Sequence, residues 1–433
     1  MRNNRVPARG EAMLQEMSKD DLTSRENELG NQFNAACQAG LKLDMTRGKP
    51  SPEQLDLANP MLSLPGDGVF TDSDGVDCRN YGGIDGLPQM KALFADILGC
   101  EPQDVIVSGN SSLTMMYDAV ARAVLFGVPG SEQSWSQQGT VRFLCPAPGY
   151  DRHFEITSHL GFELLNVELT DEGPDMDRVE MLASDHAVKG IWCVPRYSNP
   201  TGITYTDEVA RRLATMNAAP DFRIFWDNAY AEHHLTEEQQ SVPDILQACR
   251  DAGHPDRVLM FTSTSKMTMA GAGVSAMAAS PNNIDDARRH FSVQTIGPDK
   301  LNQLRHLNFF KNIGGLRAHM ARVGKILKPK FDLVNELLEH NLGGKGIATW
   351  SQPKGGYFVN VNAPDDCART IIDMAEKAGV KLTPAGAPFA YGLDPQDRVI
   401  RLAPSFPPLS DIRQAMEIFT LCVELAAIRK ALN

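Results

Sequence analysis

A lysine becomes a nucleophile only when its amine is neutral, and one lysine of this chain sits in company that would favour neutrality. In FTSTSKMTMAGAGVSAMAAS (261–280), Lys266 is the single charged residue between Arg257 and Asp285. A ladder of hydroxyls (Thr262, Ser263, Thr264, Ser265) precedes it, and small apolar residues follow. A lone lysine beside an apolar run either snorkels its ammonium into water or is held partly desolvated. Desolvation lowers the pKa and leaves the amine free to attack carbonyls as a Schiff-base former. The choice between the two rests on what the rest of the chain brings near it.

Four other short stretches carry polar residues just after an apolar run. SGNSS (108–112) offers Gly109, Asn110 and Ser111, and PAPGY ends on Tyr150. SNPTG (198–202) contains Asn199, and WDNAY contains Asp227 and Tyr230. Together with Ser263, Ser265 and Lys266 they match what pyridoxal phosphate requires. A lysine condenses with its aldehyde and a carboxylate keeps its ring nitrogen protonated, while donors face its phenolic oxygen and an aromatic side chain stacks on the ring. Amides and hydroxyls at a helix start hold its phosphate. An amino-acid substrate adds the need for a guanidinium, the fork that grips a carboxylate bidentately. Arg401 in VIRLAPSF supplies one.

These residues need a scaffold that gathers them. From about residue 88 short apolar segments alternate with helical ones: DVIVSG, VRFLCPAPGY, FELLNVEL, VKGIWCVP, FRIFWDNAY, RVLMFTS and GVSAMAAS. That rhythm predicts an α/β fold, a large domain whose mostly parallel sheet is sandwiched by helices. In such sheets ligands bind beyond the carboxyl ends of the strands, which is where the polar residues fall. The pattern predicts one long helical stretch over 299–342. Strands at WSQPKGGYFVNVN and VIRLAPSF then belong to a smaller α/β domain closed by a helix over 409–431. A helical pattern over 11–40, with Met13, Leu14, Met17 and Leu22, opens the chain before the Gly/Pro loop LDMTRGKPSPEQLDLA. The expected division is an N-terminal segment, 1–55, a large domain, 56–315, and a small domain, 316–433.

Composition narrows the function classes. The 433 residues carry 42 basic and 54 acidic side chains, a net charge of −12, with no Lys/Arg block, which argues against a nucleic-acid surface. No apolar run reaches the roughly 20 residues of a membrane span, and MRNNRVPARGEAML has no apolar core of a secretory signal. Eight cysteines without a C-x-x-C pair read as reduced core residues, as expected of a cytoplasmic protein. The histidines show no metal spacing. GAGVSA (271–276) fits a loose dinucleotide-loop pattern but opens no helix.

Order and spacing of these motifs over 43–406 resemble the fold-type I, class I and II aminotransferases related to aspartate aminotransferase. The resemblance implies pyridoxal 5′-phosphate bound by Gly109, Asn110, Ser111, Tyr150, Asn199, Asp227, Tyr230, Ser263, Ser265 and Lys266. YGGIDGLPQMK (81–91) resembles the segment whose tyrosine, here Tyr81, reaches the phosphate in the neighbouring subunit, so a homodimer with composite sites is implied. PKGGYF (353–358) completes the set; Arg401 would hold the substrate α-carboxylate, and Gly48 in RGKP would border the substrate. One position departs from the family: eight residues beyond the lysine, where an arginine usually meets the phosphate, stands Val274. That variant, with GNSS and TIGPDKLNQLRH (295–306), resembles a divergent branch labelled MocR-like aminotransferase.

The resemblance implies transamination through a Lys266 Schiff base, with Asp227 and Tyr230 in supporting catalytic roles. The expected substrates are L-aspartate and 2-oxoglutarate, giving oxaloacetate and L-glutamate. A dicarboxylate needs a second cation; Arg47, beside Gly48, is the leading candidate, with Arg196, Lys300 and Arg305 behind it. An aminotransferase for aromatic or other donors and a β-lyase would use the same lysine and electron sink. A non-catalytic regulatory domain of this fold would want a basic helix-turn-helix module, and the roughly 40 acid-rich residues ahead of the loop at 43 show none.

Overall fold

The structure is a computed structural model that describes residues 17–433. Residues 11–16 of the expected N-terminal helix, Met13 and Leu14 among them, lie outside the described residues.

In chain order the strands are β1 (Leu43–Asp44), β2 (Val105–Ser108), β3 (Arg142–Ala147), β4 (Glu163–Thr170), β5 (Gly173–Pro174), β6 (Val188–Cys193), β7 (Arg223–Asp227), β8 (Val258–Ser263), β9 (Ser275–Ala279), β10 (Thr349–Trp350), β11 (Val359–Asn362), β12 (Val380–Lys381) and β13 (Val399–Leu402). The first helices are α1 (Lys19–Gln38), α2 (Pro52–Asp56), α3 (Pro88–Leu98), α4 (Ser112–Phe126), α5 (Asp151–His159), α6 (Met176–Ala183), α7 (Asp207–Thr215) and α8 (Ile245–Asp251). Then come α9 (Pro281–Gln294), α10 (Lys300–Phe310), α11 (Ile313–Leu342), α12 (Ala368–Lys377) and α13 (Leu409–Leu432).

Eight strands form one sheet in the order β2-β9-β8-β7-β6-β3-β4-β5. Its centre, β8-β7-β6-β3-β4, is parallel. β3, β6, β7 and β8 are buried almost throughout, as strands covered by helices on both faces must be, whereas β4, nearer the sheet's edge, buries only Leu164 and Val167. β9 runs against both β8 and β2, so the sheet is mixed where the alternation alone reads as mostly parallel. The cause is the β8–β9 connection. A parallel return needs a crossover of about a dozen residues or more, usually a helix. The 264–274 loop carries Lys266 and a single 3-10 turn, Ala270–Ala272, and therefore reverses the chain. Because β9 is antiparallel to both neighbours, β2 again points the same way as β8. The ends of β2, β3, β6, β7 and β8 thus share one edge.

A second sheet, β10-β11-β13, is antiparallel, and β1 pairs with β12 in parallel beside it. The helical stretch at 299–342 is two helices rather than one. Lys311 takes a left-handed φ of 70°, and the Asn312 side chain accepts the Gly315 amide at 3.0 Å as a fresh N-cap. α1 starts at Ser18, whose hydroxyl accepts the Asp21 amide at 3.2 Å, and it packs on α13, with Arg25 donating to Glu424 at 3.0 Å. No helix among the described residues is long and apolar enough to cross a membrane.

Candidate active site

The central strand β7 ends on Asp227, and the site grows from there. Asp227 is buried, and its Oδ2 lies 3.0 Å from His153 Nε2. The His153 ring stacks on Trp192 of β6, with centroids 4.5 Å apart and planes 13° apart. Sequence reading passed over His153: it lacks metal spacing, and its only signal is a place three residues beyond Tyr150, on the first turn of α5. The other carboxylate oxygen, Asp227 Oδ1, is buried without a partner. An unpaired buried carboxylate oxygen is costly, so this one is aimed at something the chain does not supply.

The cavity it faces is lined by Gly48, Tyr150, Asn199, Asp227, Tyr230, Lys266 and Phe358, with Val194 and Ala229. Larger clefts exist elsewhere, one between the two sheets along Asn166–Asp171 and Gln396, but they hold no comparable set of groups. Gly48 is there for want of space: a Cβ on it would lie 2.2 Å from the Phe358 ring. Lys266 Nζ stands 5.1 Å from the Tyr230 ring centroid. Burial pulls the lysine pKa below its ordinary value, while the Asp227 charge opposes the shift. Burial also drives the Tyr230 and Tyr150 hydroxyls upward, so both stay protonated and can donate.

The lysine loop is pinned from behind. The Lys266 carbonyl accepts from Tyr357 Oη at 3.1 Å and lies 3.2 Å from His233 Nε2. A carbonyl cannot donate, so the His233 proton sits on Nε2; burial pushes that histidine down to about 3 and keeps it neutral. Its neighbour His234 turns away, toward the Tyr197 hydroxyl at 2.8 Å.

Arg401 reaches the cavity from β13 of the smaller sheet. It is 7% exposed. Its Nη1 donates to Asp151 Oδ1 at 3.2 Å and Asn199 Oδ1 at 3.3 Å, its Nε to Thr383 Oγ1 at 3.4 Å. The guanidinium lies over the Phe358 ring, 5.0 Å from its centroid. A carboxylate entering here meets a cation already oriented.

Beyond Lys266 the chain ends of β2 and β8 meet. Ser265 Oγ donates to the Asn110 carbonyl at 2.8 Å, and the Ser275 amide to the Gly109 carbonyl at 2.8 Å. Ser111 caps α4 by accepting the Leu113 amide at 3.2 Å, so the positive end of a four-turn helix faces this junction. Ser263 is buried at the end of β8. Val274 is buried in the core, its amide donating to Thr264 Oγ1 at 2.9 Å.

Tyr81 and Arg47, both expected at the site, stand largely in water. Tyr81 is 79% exposed. Arg47 keeps 67% of its side chain exposed and pairs with Asp44 at 3.8 Å. The other three cations considered for a distal carboxylate are engaged elsewhere. Arg196 donates to the carbonyls of Ala231 and Gln240, Arg305 to that of Leu64, and Lys300 to those of Asn80 and Gly82.

A lysine of lowered pKa beside an orphaned carboxylate oxygen, with a buried arginine across the cavity, is a chemistry with relatives to compare. Residues 17–433 match the family described as aspartate amino-transferase. The chain belongs to that family. A protein of Mycolicibacterium smegmatis provisionally named an aminotransferase is 50% identical over 97% of this chain and 99% of its own length. An aspartate aminotransferase of Corynebacterium glutamicum is 44% identical over 97% of this chain and 98% of its own length. The crystal structure of an aspartate transaminase from that organism superposes with a TM-score of 0.95 at 44% identity, covering 96% of this chain and 99% of the other. An α-aminoadipate aminotransferase of Thermus thermophilus, crystallised with N-(5′-phosphopyridoxyl)-L-leucine, shares the fold at a TM-score of 0.71 and 21% identity.

Aminotransferases of this fold use pyridoxal phosphate, and the residues present fit it. The orphaned Asp227 Oδ1 suits a protonated ring nitrogen, and the protonated Tyr230 suits a phenolate. The start of α4 suits a phosphate. When bound, the cofactor supplies a carbonyl carbon that accepts amines and a ring that accepts electrons.

Proposed function

We propose that this aminotransferase moves the amino group of L-aspartate to 2-oxoglutarate, giving oxaloacetate and L-glutamate. The observation that carries the donor assignment is near-full-length similarity, at 44% identity, to an aspartate aminotransferase. The geometry supports the reaction type. Lys266 would hold the cofactor, and its Nζ, kept neutral by burial, would be the group that takes the proton from the donor's α-carbon. Asp227, held by His153, keeps the ring nitrogen protonated. Asn199 and Tyr230 would donate to the phenolic oxygen, and Tyr150 would lie against the ring. Gly109, Asn110, Ser111, Ser263 and Ser265 hold the phosphate without the arginine that Val274 displaces. Arg401 orients the α-carboxylate of every substrate, Gly48 leaves it room, and Arg47 meets the side-chain carboxylate.

The same reading includes a homodimer in the cytoplasm. Tyr81 is too exposed to serve its own cavity, and Leu62, Val69, Val293 and Ile296 are exposed apolar residues as well; a second copy would cover such a surface and receive Tyr81 at its phosphate. A division near 55 and 315 places β13 and Arg401 in a small domain, with the second boundary in the first turn of α11. The deciding experiment is a panel of amino donors against 2-oxoglutarate. Aspartate is expected to lead, and a preference for aromatic or branched donors would remove the aspartate assignment and leave the transaminase.

A further inference from the structure

Tyr81 sits in a loop that has little conformation of its own. Gly82, Gly83 and Gly86 take φ values of 101°, 73° and 87°, and so many glycines leave a chain free to wander. The loop is nevertheless held, and what holds it is the first turn of α10 with the residues just before it. Lys300 is 4% exposed, and its Nζ donates to the carbonyls of Asn80 at 2.8 Å and Gly82 at 2.6 Å, one on each side of Tyr81. Gly297 fits so closely beneath the loop that a Cβ would lie 2.4 Å from the Gly82 oxygen. Gln303 Oε1 accepts the Leu87 amide at 2.8 Å.

The opposite side of the same helix holds the lysine loop. Asn302 Nδ2 donates to the carbonyls of Ala272 and Gly273, each at 3.0 Å, and His306 Nε2 lies 3.0 Å from the hydroxyls of Thr264 and Thr268. α10 therefore spans from one chain's Lys266 loop to the loop that offers Tyr81 outward. A buried ammonium met by two carbonyls instead of a carboxylate is an expensive way to shape a surface loop. It makes sense where the loop's tip must be placed to within a fraction of an ångström. We propose that Lys300 is a positioning residue acting in trans: it fixes Tyr81 so that the tyrosine hydroxyl reaches the cofactor phosphate bound by a second copy of the chain. The inference rests on the composite-dimer reading above.

Hybrid dimers separate the two. Differently tagged subunits are assembled so that one chain carries Lys266→Ala, leaving a single site whose lysine can be fixed to pyridoxal phosphate by borohydride. The readout is the mass of the Lys266 peptide after reduction, measured against free pyridoxal phosphate concentration. Lys300→Met placed on the Lys266→Ala chain is expected to weaken cofactor binding at the remaining lysine by about tenfold or more, the scale of one hydrogen bond to a charged group. The same substitution on the chain that keeps Lys266 is expected to leave it unchanged. Equal weakening in both arrangements, or in neither, overturns the inference. Tyr81→Phe in the same two positions tests the underlying reading. Weakening in trans by Tyr81→Phe without any by Lys300→Met removes the Lys300 role alone. Tyr81→Phe acting only in its own chain, or nowhere, removes the composite site and the inference with it. Should Lys300→Met not assemble, Gly297→Ala displaces the Gly82 carbonyl without touching the charge, and the same trans-only pattern is required of it.

Discussion

Arg401 lies over Phe358 and Arg47 is the chain neighbour of Gly48, which packs on the same ring, yet the two could hardly be kept more differently. Arg401 lies over the ring, 7% exposed, with three oxygen partners fixing its fork. Arg47 adjoins Gly48, which touches the same ring, yet most of its own side chain is in water with a loose partner in Asp44. The contrast follows from what each is proposed to recognise. An α-carboxylate is common to every amino acid, so its receptor can be built once, desolvated and pre-aimed, with no reorganisation when a substrate arrives. A side-chain carboxylate is present on some donors only. A cation buried for it would stand unpaired whenever the site is empty, and a mobile one escapes that cost.

The same division separates the reacting end of the site from its selecting end, and the largest effect is expected at the reacting end. Lys266→Ala is expected to lower kcat by about 10³-fold or more, since it removes both the nucleophile and the proton carrier. Borohydride should then fix no cofactor to the protein, though cofactor should still be retained through the phosphate junction and Asp227. Fixation on another lysine would relocate the chemistry. The lowered pKa gives a second, cofactor-free check with a definite sign. A depressed amine pKa means that Lys266 is unprotonated at pH values where ordinary lysines are still cations. Cyanate should therefore carbamoylate Lys266 ahead of the exposed lysines near pH 8, and its rate should level off at a lower pH than theirs.

Arg401→Ala is expected to come next. Losing a buried, oriented charge partner costs about 2–5 kcal/mol, so kcat/KM should fall by roughly 10²-fold or more. The fall should be equal for aspartate and for an apolar donor, because both present the same α-carboxylate. A donor-dependent loss would mean that Arg401 reads side chains after all, and the contrast with Arg47 would collapse.

His153→Leu is expected to act more gently. It leaves Asp227 in place but removes the group holding Oδ2, and hydrogen bonds to charged groups are worth about 1.5–3 kcal/mol. Cofactor affinity and kcat should each drop by about tenfold, with substrate KM nearly unchanged. A rise in KM alone would place His153 among substrate groups.

How far the sequence could be read follows the same line between buried and exposed. Lys266, Asp227, Tyr230, Asn199 and Tyr150 follow apolar strands closely, and a parallel sheet must bring such strand ends to one edge. Arg401 comes from a separate sheet, yet its cluster of apolar neighbours in VIRL marks it as buried. The antiparallel β9 was not legible from alternation, because the reversal depends on how short the 264–274 connection is in space. The break at Lys311–Asn312 was hidden inside an unbroken helical pattern; a left-handed lysine leaves no periodicity signal. His153 was missed because its role is conferred by Trp192 and Asp227, which lie far off in sequence. The contacts of Tyr357 and His233 with the Lys266 carbonyl are hidden for the same reason, although Tyr357 lies in the PKGGYF motif.

The smallest effect, and the one that most directly tests the two-arginine contrast, belongs to Arg47. Stripping a carboxylate of water without a partner costs several kcal/mol, whereas an exposed ion pair is worth about 1 kcal/mol or less. Arg47 starts in water and its Asp44 contact is long, so moving it onto a substrate forfeits little, and binding aspartate recovers only part of a buried pair's strength. Arg47→Ala is accordingly expected to lower kcat/KM for aspartate by about tenfold and to leave an apolar donor's within twofold. The selectivity ratio between the two donors is the quantity to measure, since folding damage would lower both together. Raising salt should shrink the aspartate advantage of the wild-type enzyme more than it shrinks Arg401-dependent binding, because an exposed cation is screened and a buried one is not. An equal fall for both donors, or no fall, would remove Arg47 from the site. Arg196, Lys300 and Arg305, committed to backbone carbonyls in their own chain, would have to give up those bonds to take its place.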